Sequence, residues 1–239
     1  MKWVRYLLIG LSFTVGVALI SLPPISRWWN NKFHVAAAHA YYSQASQLSQ
    51  AEIDLHLSRA YKHNEFLYQI RQSHPNSLFL SYAAILPEDY KDILNVGGVM
   101  ARLEIPVIGL DLPILHGTDP ETMLNGVAHI EGTSFPIGGL NTHSAMTAHS
   151  GMHNVRLFSR LEHMDMGDVF IISVLDRRLV YVVDDIRVIE PHEILHLRIV
   201  PGEDMVTLIT CTPIGINTHR LLVRGVRCTA YGVDVTGAE

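Results

Sequence analysis

Cysteine and charge are both scarce in this 239-residue chain, and each shortage excludes a class of protein. The two cysteines, Cys211 and Cys228, are too few for a fold held together by disulfides. Only 17% of the residues are charged and the net charge is -5, with no basic block of the kind that binds nucleic acid. There is no internal repeat and no low-complexity tract. Because 48% of the residues are hydrophobic, we expect one domain with a sizeable core, plus appendages.

One long apolar stretch is present, from Tyr6 to Leu22, interrupted only by glycines and small hydroxyl residues. Its length of about 17 residues is near the lower limit for a membrane-spanning helix. Two tryptophans, Trp28 and Trp29, follow it and suit the membrane interface. A cleaved signal peptide is the alternative, but the cleavage-like pattern at residues 38–40 lies too far beyond the stretch. We therefore predict an uncleaved membrane anchor with its flank over residues 1–32.

The next segment, residues 33–97, is predicted to be a helical approach to the main domain. Alanine-rich sequence favours a first helix. Ser49 and Glu52 have the spacing of a capping box and predict the start of a second helix, in which apolar residues from Ile53 onwards recur at helical intervals. Residues 74–98 show little pattern, and a loop of this length is often a lid or a binding loop.

From residue 98 to residue 239 the sequence changes to short apolar runs rich in Val, Ile, Tyr and Thr, separated by turn signals. The predicted strands are Met100–Ile105, Leu112–Leu115, Gly126–Glu131, Ser144–His149, Val169–Val174, Leu179–Ile189, Asp204–Thr212 and Leu221–Tyr231. Eight strands at this spacing indicate a mainly β domain, either a closed barrel or a sandwich. Short helical crossovers are predicted at Val155–Leu161 and Pro191–Leu197.

Cys211 lies at the end of a predicted buried strand. Alternation places it on the same face as Thr207 and Ile209, where a strand-end side chain can reach a cleft without losing its support. The alternative is that Cys211 is a small core residue, as most free cysteines are. We expect both thiols to be free, since a nucleophile must stay reduced.

Arg220 opens the following strand, directly after a turn that contains Gly215 and Asn217. An arginine there can stay cationic in a partly dry site and stabilise negative charge on a carbonyl oxygen. Arg224 has the same strand parity, and we interpret it as one half of an ion pair on the strand face.

The chain has 14 histidines, and His149 is the best placed for acid–base chemistry because it ends a predicted strand before a Ser-Gly turn. His143, His149 and His153 could form a metal site, but no acidic ligand or second cysteine falls at zinc spacing, so we predict no metal. His129 lies within an apolar strand and is predicted to be structural. His219 should point away from the face that carries Arg220.

The segments around these residues resemble the sortase family, and in particular its class C, pilus-assembling members. The cysteine-to-arginine signature of that family is matched by Thr207–Pro213 and Gly215–Arg220. Further matching segments are Leu103–Pro106, Leu112–Ile114, His116–Thr118, His129–Ser134 and Asn141–Ser144. The resemblance covers roughly residues 98 to 227. It implies a closed eight-stranded β-barrel in which His149, Cys211 and Arg220 are catalytic.

The resemblance also implies a cysteine transpeptidase that cleaves an LPxTG-like sorting motif and joins it to an amine, such as a pilin lysine, to polymerise pili. The implied partners are pilin subunits with a C-terminal sorting motif. The implied location is a Gram-positive membrane, with a monomeric catalytic domain outside the cell and no cofactor. Substrate contacts are expected from Thr210, Ile214 and Asn217.

The sequence departs from the family pattern in several places. The histidine is usually preceded by glycine and often followed by arginine, but here the neighbours are Ala148 and Ser150. Ile214 stands where tyrosine is common. Class C members often carry an Asp-Pro-aromatic lid anchor, whereas residues 74–98 contain Pro-Glu-Asp-Tyr at 87–90 and no such tripeptide. These departures concern the substrate groove and the lid.

Two other functions remain open at this point. One is a hydrolytic cysteine peptidase that uses the same residues and releases its acyl-enzyme to water. The other is a non-catalytic membrane scaffold that holds pilin subunits.

Overall fold

The computed structural model describes residues 2–73, 86–151 and 157–228. Two long helices come first, α1 over Lys2–Ala45 and α2 over Gln50–Ser73. The predicted capping box is confirmed, because the Glu52 carboxylate accepts hydrogen bonds from the backbone N–H and the hydroxyl of Ser49 at 2.8 and 2.7 Å. Within the described ranges, none of the helices combines the length and the apolar character that crossing a bilayer requires.

Eight strands form a closed barrel in the order β1-β2-β3-β4-β7-β8-β6-β5. Their bounds are Ala101–Ile105 (β1), Leu110–His116 (β2), Val127–His129 (β3), Thr142–Thr147 (β4), Val169–Val174 (β5), Arg177–Ile189 (β6), Asp204–Thr212 (β7) and His219–Arg227 (β8). The pairs β2–β3 and β4–β7 are parallel and the other pairs are antiparallel. The closed barrel is therefore confirmed, and the sandwich is excluded.

Short helices connect several of the strands. A 3-10 turn at Ile194–Leu197 matches the second predicted crossover, and another at Leu161–His163 lies at the end of the first. Residues 155 and 156 of that first crossover lie outside the described residues. Helix α3, Pro120–Asn125, was not predicted, although Asp119 caps it by accepting a hydrogen bond from Thr122 N at 3.1 Å.

The strands bury side chains on both of their faces. Val206, Leu208 and Val223 belong to the main core inside the barrel. The alternate residues of the same strands point outwards, and there Ile209 and Leu222 form a second apolar cluster with Ala145. This outer cluster matters for function because it underlies the face on which Cys211 lies.

The segment that joins α2 to the barrel packs closely from Leu86 onwards. Tyr90 is 6% exposed, and its hydroxyl lies 2.8 Å from His129 Nδ1 and accepts a hydrogen bond from Gly117 N. The backbone N–H of Leu94 donates to His56 Nδ1 of α2 at 3.1 Å. The described part of the possible lid thus links α2 to strands β2 and β3. Residues 74–85 of that predicted loop lie outside the described residues.

Candidate active site

Cys211 of β7 and Arg220 of β8 are direct partners in the antiparallel ladder. The carbonyl of Cys211 points towards β4, because it accepts a hydrogen bond from Ser150 Oγ at 2.5 Å. The N–H and C=O of any one strand residue point to the same side of the strand. Both groups of Cys211 therefore point away from β8, and Cys211 and Arg220 form a non-hydrogen-bonded pair. In such pairs the Cα atoms are about 4.5 Å apart and the side chains approach closely. A thiol and a guanidinium therefore share one face of the barrel wall.

His149 lies on the other side of Cys211, just after β4. The parallel register of β4 and β7 ends with Thr147 opposite Ile209, and Ala148 N then donates to Ile209 O at 3.2 Å. Two residues further along each chain, His149 comes level with Cys211. The carbonyl of His149 is held by Phe158 N at 3.0 Å. The structure thus brings all three predicted catalytic residues to the same end of three neighbouring strands.

The loop between β7 and β8 holds Arg220 in place. Nη1 of Arg220 donates to the carbonyls of Asn217 and His219 at 3.2 and 3.0 Å. Asn217 has φ of 62°, a left-handed conformation that asparagine tolerates. Its backbone N–H donates to Pro213 O at 2.9 Å and closes the turn. Asn217 therefore acts on Arg220 through its carbonyl.

The other two expected substrate contacts occupy different environments. Ile214 is 43% exposed on the same loop, beside the chain that follows His149. Thr210 is 3% exposed and its hydroxyl donates to Ala148 O at 2.8 Å. Its side chain faces the barrel interior and supports the segment that carries His149. Cys211 lies on the outer face of β7, and Thr210 makes its contact on the opposite, inner face.

His143 is already engaged through both of its ring nitrogens. Nδ1 lies 2.8 Å from Arg198 O and Nε2 lies 2.7 Å from Thr207 Oγ1. Burial lowers the pKa of His143 to about 4. Within the ranges that the structure describes, no three His, Cys, Asp or Glu side chains are grouped as metal ligands. His153, the third residue of the metal alternative, lies outside those ranges.

Three further expectations concern structural side chains. His129 is fully buried, lies 2.9 Å from Ser134 O through Nε2, and has its pKa lowered to about 3 by burial. Arg224 forms the expected ion pair, with two hydrogen bonds to Asp184 at 3.1 and 2.5 Å that raise its pKa. His219 is exposed, and its Nδ1 contacts the neighbouring Thr218 hydroxyl. The structural role of His129 and the ion pair of Arg224 match the sequence predictions.

The two cysteines are free, as expected. Cys211 is level with the start of β8, whereas Cys228 follows the end of β8 and donates its N–H to Val180 O. The nine-residue length of β8 separates them, roughly 25 Å at the rise of an extended strand. A disulfide between them would require the barrel to unfold.

Cavities on the described part of the barrel include one of about 260 Å³ on the outer face, between Thr207, Leu222 and the chain around Leu195. A larger one of about 640 Å³ surrounds Asp204 and Arg227. Asp204 begins β7 and Cys211 is near its end, so the larger cavity lies at the far end of the strand. The smaller cavity is therefore the nearer of the two to Cys211, although neither is lined by Cys211, His149 or Arg220.

Comparison with known proteins agrees with this geometry. The sortase domain family matches residues 103–228. The chain belongs to the sortase family. It is similar to the pilus-related sortase C of Group B Streptococcus, with 38% identity and a TM-score of 0.67 over 80% of this chain and 97% of that one. It is also similar to sortase C-1 from Streptococcus pneumoniae, with 37% identity and a TM-score of 0.71 over 81% and 98%.

A sequence relative is sortase A of Streptococcus agalactiae serotype III (strain NEM316). It is 26% identical over 217 residues, which make up 88% of this chain and 79% of that protein. The present chain is therefore a sortase-family cysteine transpeptidase built on a closed β-barrel.

Sequence reasoning did not single out Ser150 of this sortase as a functional residue. The Ser-Gly pair that it begins was interpreted as a turn after His149. Its hydrogen-bond partner, the carbonyl of Cys211, is 61 residues away in the chain. The pairing of β4 with β7 creates this contact, and no local pattern in the sequence could have indicated it.

Proposed function

We propose that this sortase polymerises pilin subunits by cleaving an LPxTG-like sorting motif and joining it to a pilin lysine. Membership of the family supports the transpeptidase chemistry, and the similarity to a sortase C described as pilus-related supports the pilin substrate. The observation that carries the catalytic assignment is the direct pairing of Cys211 with Arg220, with His149 on the opposite side of the thiol.

In the first half-reaction the Cys211 thiolate attacks the carbonyl carbon of the threonine in the motif, at the peptide bond between threonine and glycine. The new S–C bond leaves negative charge on the carbonyl oxygen, and the guanidinium of Arg220 stabilises it. The C–N bond to glycine then breaks, and protonated His149 gives its proton to the leaving amine. A thioester on Cys211 remains.

In the second half-reaction the incoming lysine amine attacks the thioester carbonyl. His149, now neutral, takes a proton from this amine, and Arg220 again faces the developing oxyanion. The C–S bond breaks and releases the Cys211 thiolate. The product is an isopeptide bond, and the enzyme returns to its starting protonation state.

The location is a separate proposal that follows from the family resemblance. We place the catalytic domain at the outer face of a Gram-positive membrane, attached through α1. Support comes from apolar side chains that α1 leaves exposed, among them Trp3, Leu7 and Phe13. Membrane fractionation of the full chain, compared with a chain lacking residues 1–32, tests this. Equal distribution of the two between membrane and soluble fractions would contradict it.

The decisive experiment for the activity is thioester trapping. The enzyme is mixed with LPxTG-type peptides and analysed by mass spectrometry, with Cys211→Ala as the control. We expect an acyl adduct on the wild type that is absent from the variant. Hydroxylamine or a lysine peptide should then increase turnover, because transfer is the native second step. Turnover that does not respond to added amine would indicate a hydrolase, and the absence of any adduct would indicate a scaffold.

A further inference from the structure

The chain stays bound to β7 after strand β4 ends at Thr147. Ala148 N donates to Ile209 O at 3.2 Å, which continues the backbone ladder by one step. From there a side chain takes over, because Thr210 Oγ1 donates to Ala148 O at 2.8 Å. Thr210 is 3% exposed, so this bond is shielded from water. The position just before His149 is thus held at both its N–H and its C=O.

The position just after His149 is held by a second hydroxyl, in the opposite direction. Ser150 Oγ donates to the carbonyl of Cys211 at 2.5 Å, a distance at the short end for an O–H···O hydrogen bond. The two hydroxyl bonds therefore lie on either side of His149. One runs from β7 to the His149 segment, and the other runs from the His149 segment to the residue that carries the thiol.

We infer that Ser150 is a positioning residue that sets the spacing between the His149 imidazole and the Cys211 thiol. The inference rests on the proposed function for the roles of His149 and Cys211. Ser150 makes its hydrogen bond to the main-chain carbonyl of Cys211. It acts through the main-chain carbonyl of the nucleophile.

The surrounding loop explains why this one bond matters. The carbonyl of His149 is occupied by Phe158 N at 3.0 Å, and the N–H of Gly151 is occupied by Ser159 Oγ at 3.0 Å. Those contacts tie the loop to its own later residues. The Ser150 hydroxyl ties the same loop to β7. If the Ser150 hydroxyl is removed, the hydrogen bond between the segment after Ala148 and the Cys211 carbonyl is lost.

The consequence for catalysis follows from the geometry of proton transfer. A misplacement of about 1 Å between reacting groups can cost about 100-fold in rate. Ser150→Ala should therefore lower the rate of thioester formation by about 10- to 100-fold. The KM for a sorting peptide should change less than about twofold, because the hydroxyl bonds to the main chain and not to the groove. Ser150→Thr keeps a hydroxyl donor and should recover most of the rate.

The kinetic test measures single-turnover acylation and KM for the full-length wild type, Ser150→Ala and Ser150→Thr. Ser173→Ala, a change of the same kind at a half-buried position on β5, is the matched control and should behave as the wild type. A loss confined to the acylation rate, with rescue by threonine, supports the inference. An acylation rate unchanged in Ser150→Ala overturns it, as does a threonine variant no better than the alanine variant.

A second measurement needs no substrate. In a Cys228→Ser background, the rate of Cys211 alkylation by iodoacetamide is followed against pH, with His149→Ala as the reference. The Ser150→Ala profile should move towards that of His149→Ala, because the imidazole no longer sits beside the thiol. A Ser150→Ala profile identical to the parent overturns the positioning role alone. A parent profile identical to His149→Ala overturns the proposed function and the positioning role together.

Discussion

At the scale of single residues, the structure gives different partners to two arginines of β8. Arg220 and Arg224 share a strand and a face. Arg224 is neutralised by Asp184, whereas Arg220 donates to the neutral carbonyls of Asn217 and His219. A guanidinium held by carbonyls keeps its full positive charge available to an oxyanion. This difference supports the proposed catalytic role of Arg220.

Substitution of Arg220 tests that assignment. Arg220→Ala should lower the acylation rate by about 100- to 1,000-fold, because it removes charged donors from the developing oxyanion. Arg220→Lys should recover only part of this loss, since a single ammonium cannot reproduce the fork of donors. Single-turnover kinetics would measure both. Arg224→Lys, on the same strand face, is the control and should remain close to the wild type. Near-full rates in Arg220→Ala would refute the oxyanion role.

At the scale of the elements, a buried asparagine helps to fix helix α2 to the barrel. Asn64 is 3% exposed, and its amide makes two hydrogen bonds to the backbone of Phe135. Asn64 Nδ2 donates to Phe135 O at 3.1 Å, and Phe135 N donates to Asn64 Oδ1 at 2.8 Å. The loop between β3 and β4 thereby gains a partner for both backbone groups of a buried residue. The helix is an integral part of the fold through this contact.

Asn64→Ala should therefore destabilise the whole protein. It leaves the buried N–H of Phe135 without its partner, whereas the carbonyl of Phe135 keeps a hydrogen bond from Ile137 N at 2.9 Å. We expect a cost of roughly 1–3 kcal/mol in the free energy of unfolding. Urea unfolding of the full chain would measure it. Gln69→Ala lies on the same helix and removes an exposed contact with Glu65. That control should change stability by less than about 0.5 kcal/mol, and equal effects of the two changes would argue against a docking role for Asn64.

The loop after β4 and the loop after β7 are also close neighbours. Gly151 has φ of 69°, and a Cβ built on it would lie 2.4 Å from Ile214 Cγ2. Gly109 has φ of 62° with open space around it. At both positions a residue other than glycine would be strained by the left-handed backbone conformation. Only at Gly151 would the added Cβ also overlap a neighbouring side chain.

Gly151→Ala and Gly109→Ala should each lose about 1 kcal/mol of stability from the backbone conformation. Gly151→Ala should in addition slow acylation, because Ile214 and the turn that holds Arg220 must move. Adding Ile214→Ala to Gly151→Ala should restore part of the rate. Thermal unfolding and acylation kinetics on the three variants would show this. Equal acylation rates in the two single glycine variants would mean that the loops do not cooperate.

At the scale of the whole molecule, the protein buries several histidines in their neutral form. His63, His129 and His143 are 7%, 0% and 1% exposed, and burial lowers their pKa values to about 4, 3 and 4. In the unfolded chain each would take up a proton near the ordinary histidine pKa of about 6.5. The unfolded state therefore binds more protons between that value and about pH 4.

The free energy of unfolding should consequently fall as the pH drops below about 6.5, by about 1.4 kcal/mol per pH unit for each of these histidines. Burial raises the pKa of Asp204, so this single group opposes the trend. Urea unfolding at pH 7.5 and pH 5.5 would measure the loss. His143→Gln should reduce the slope, whereas His192→Gln, at an exposed position, should not. The same unfolding free energy at both pH values would contradict the prediction.

The sequence by itself determined the presence of eight strands, the start of α2 and the residues proposed to be catalytic in this sortase. Apolar runs bounded by turn signals located β5 and β7 to the residue, and a capping box located the start of α2. The motif around Cys211 and Arg220 placed both on consecutive strands, which pair because a short turn joins them. All of these features depend on residues that are close together in the chain, so they leave a pattern that can be recognised.

The tertiary structure decided which distant strands are neighbours. The parallel pairing of β4 with β7 brings His149 beside Cys211 and gives Ser150 its partner. It also gives the hydroxyl of Thr210 a partner in the segment that carries His149. Hydrogen bonds between strands that are far apart in the chain leave no periodic trace in the sequence. The closed barrel supplies them because every strand must find two partners around its circumference.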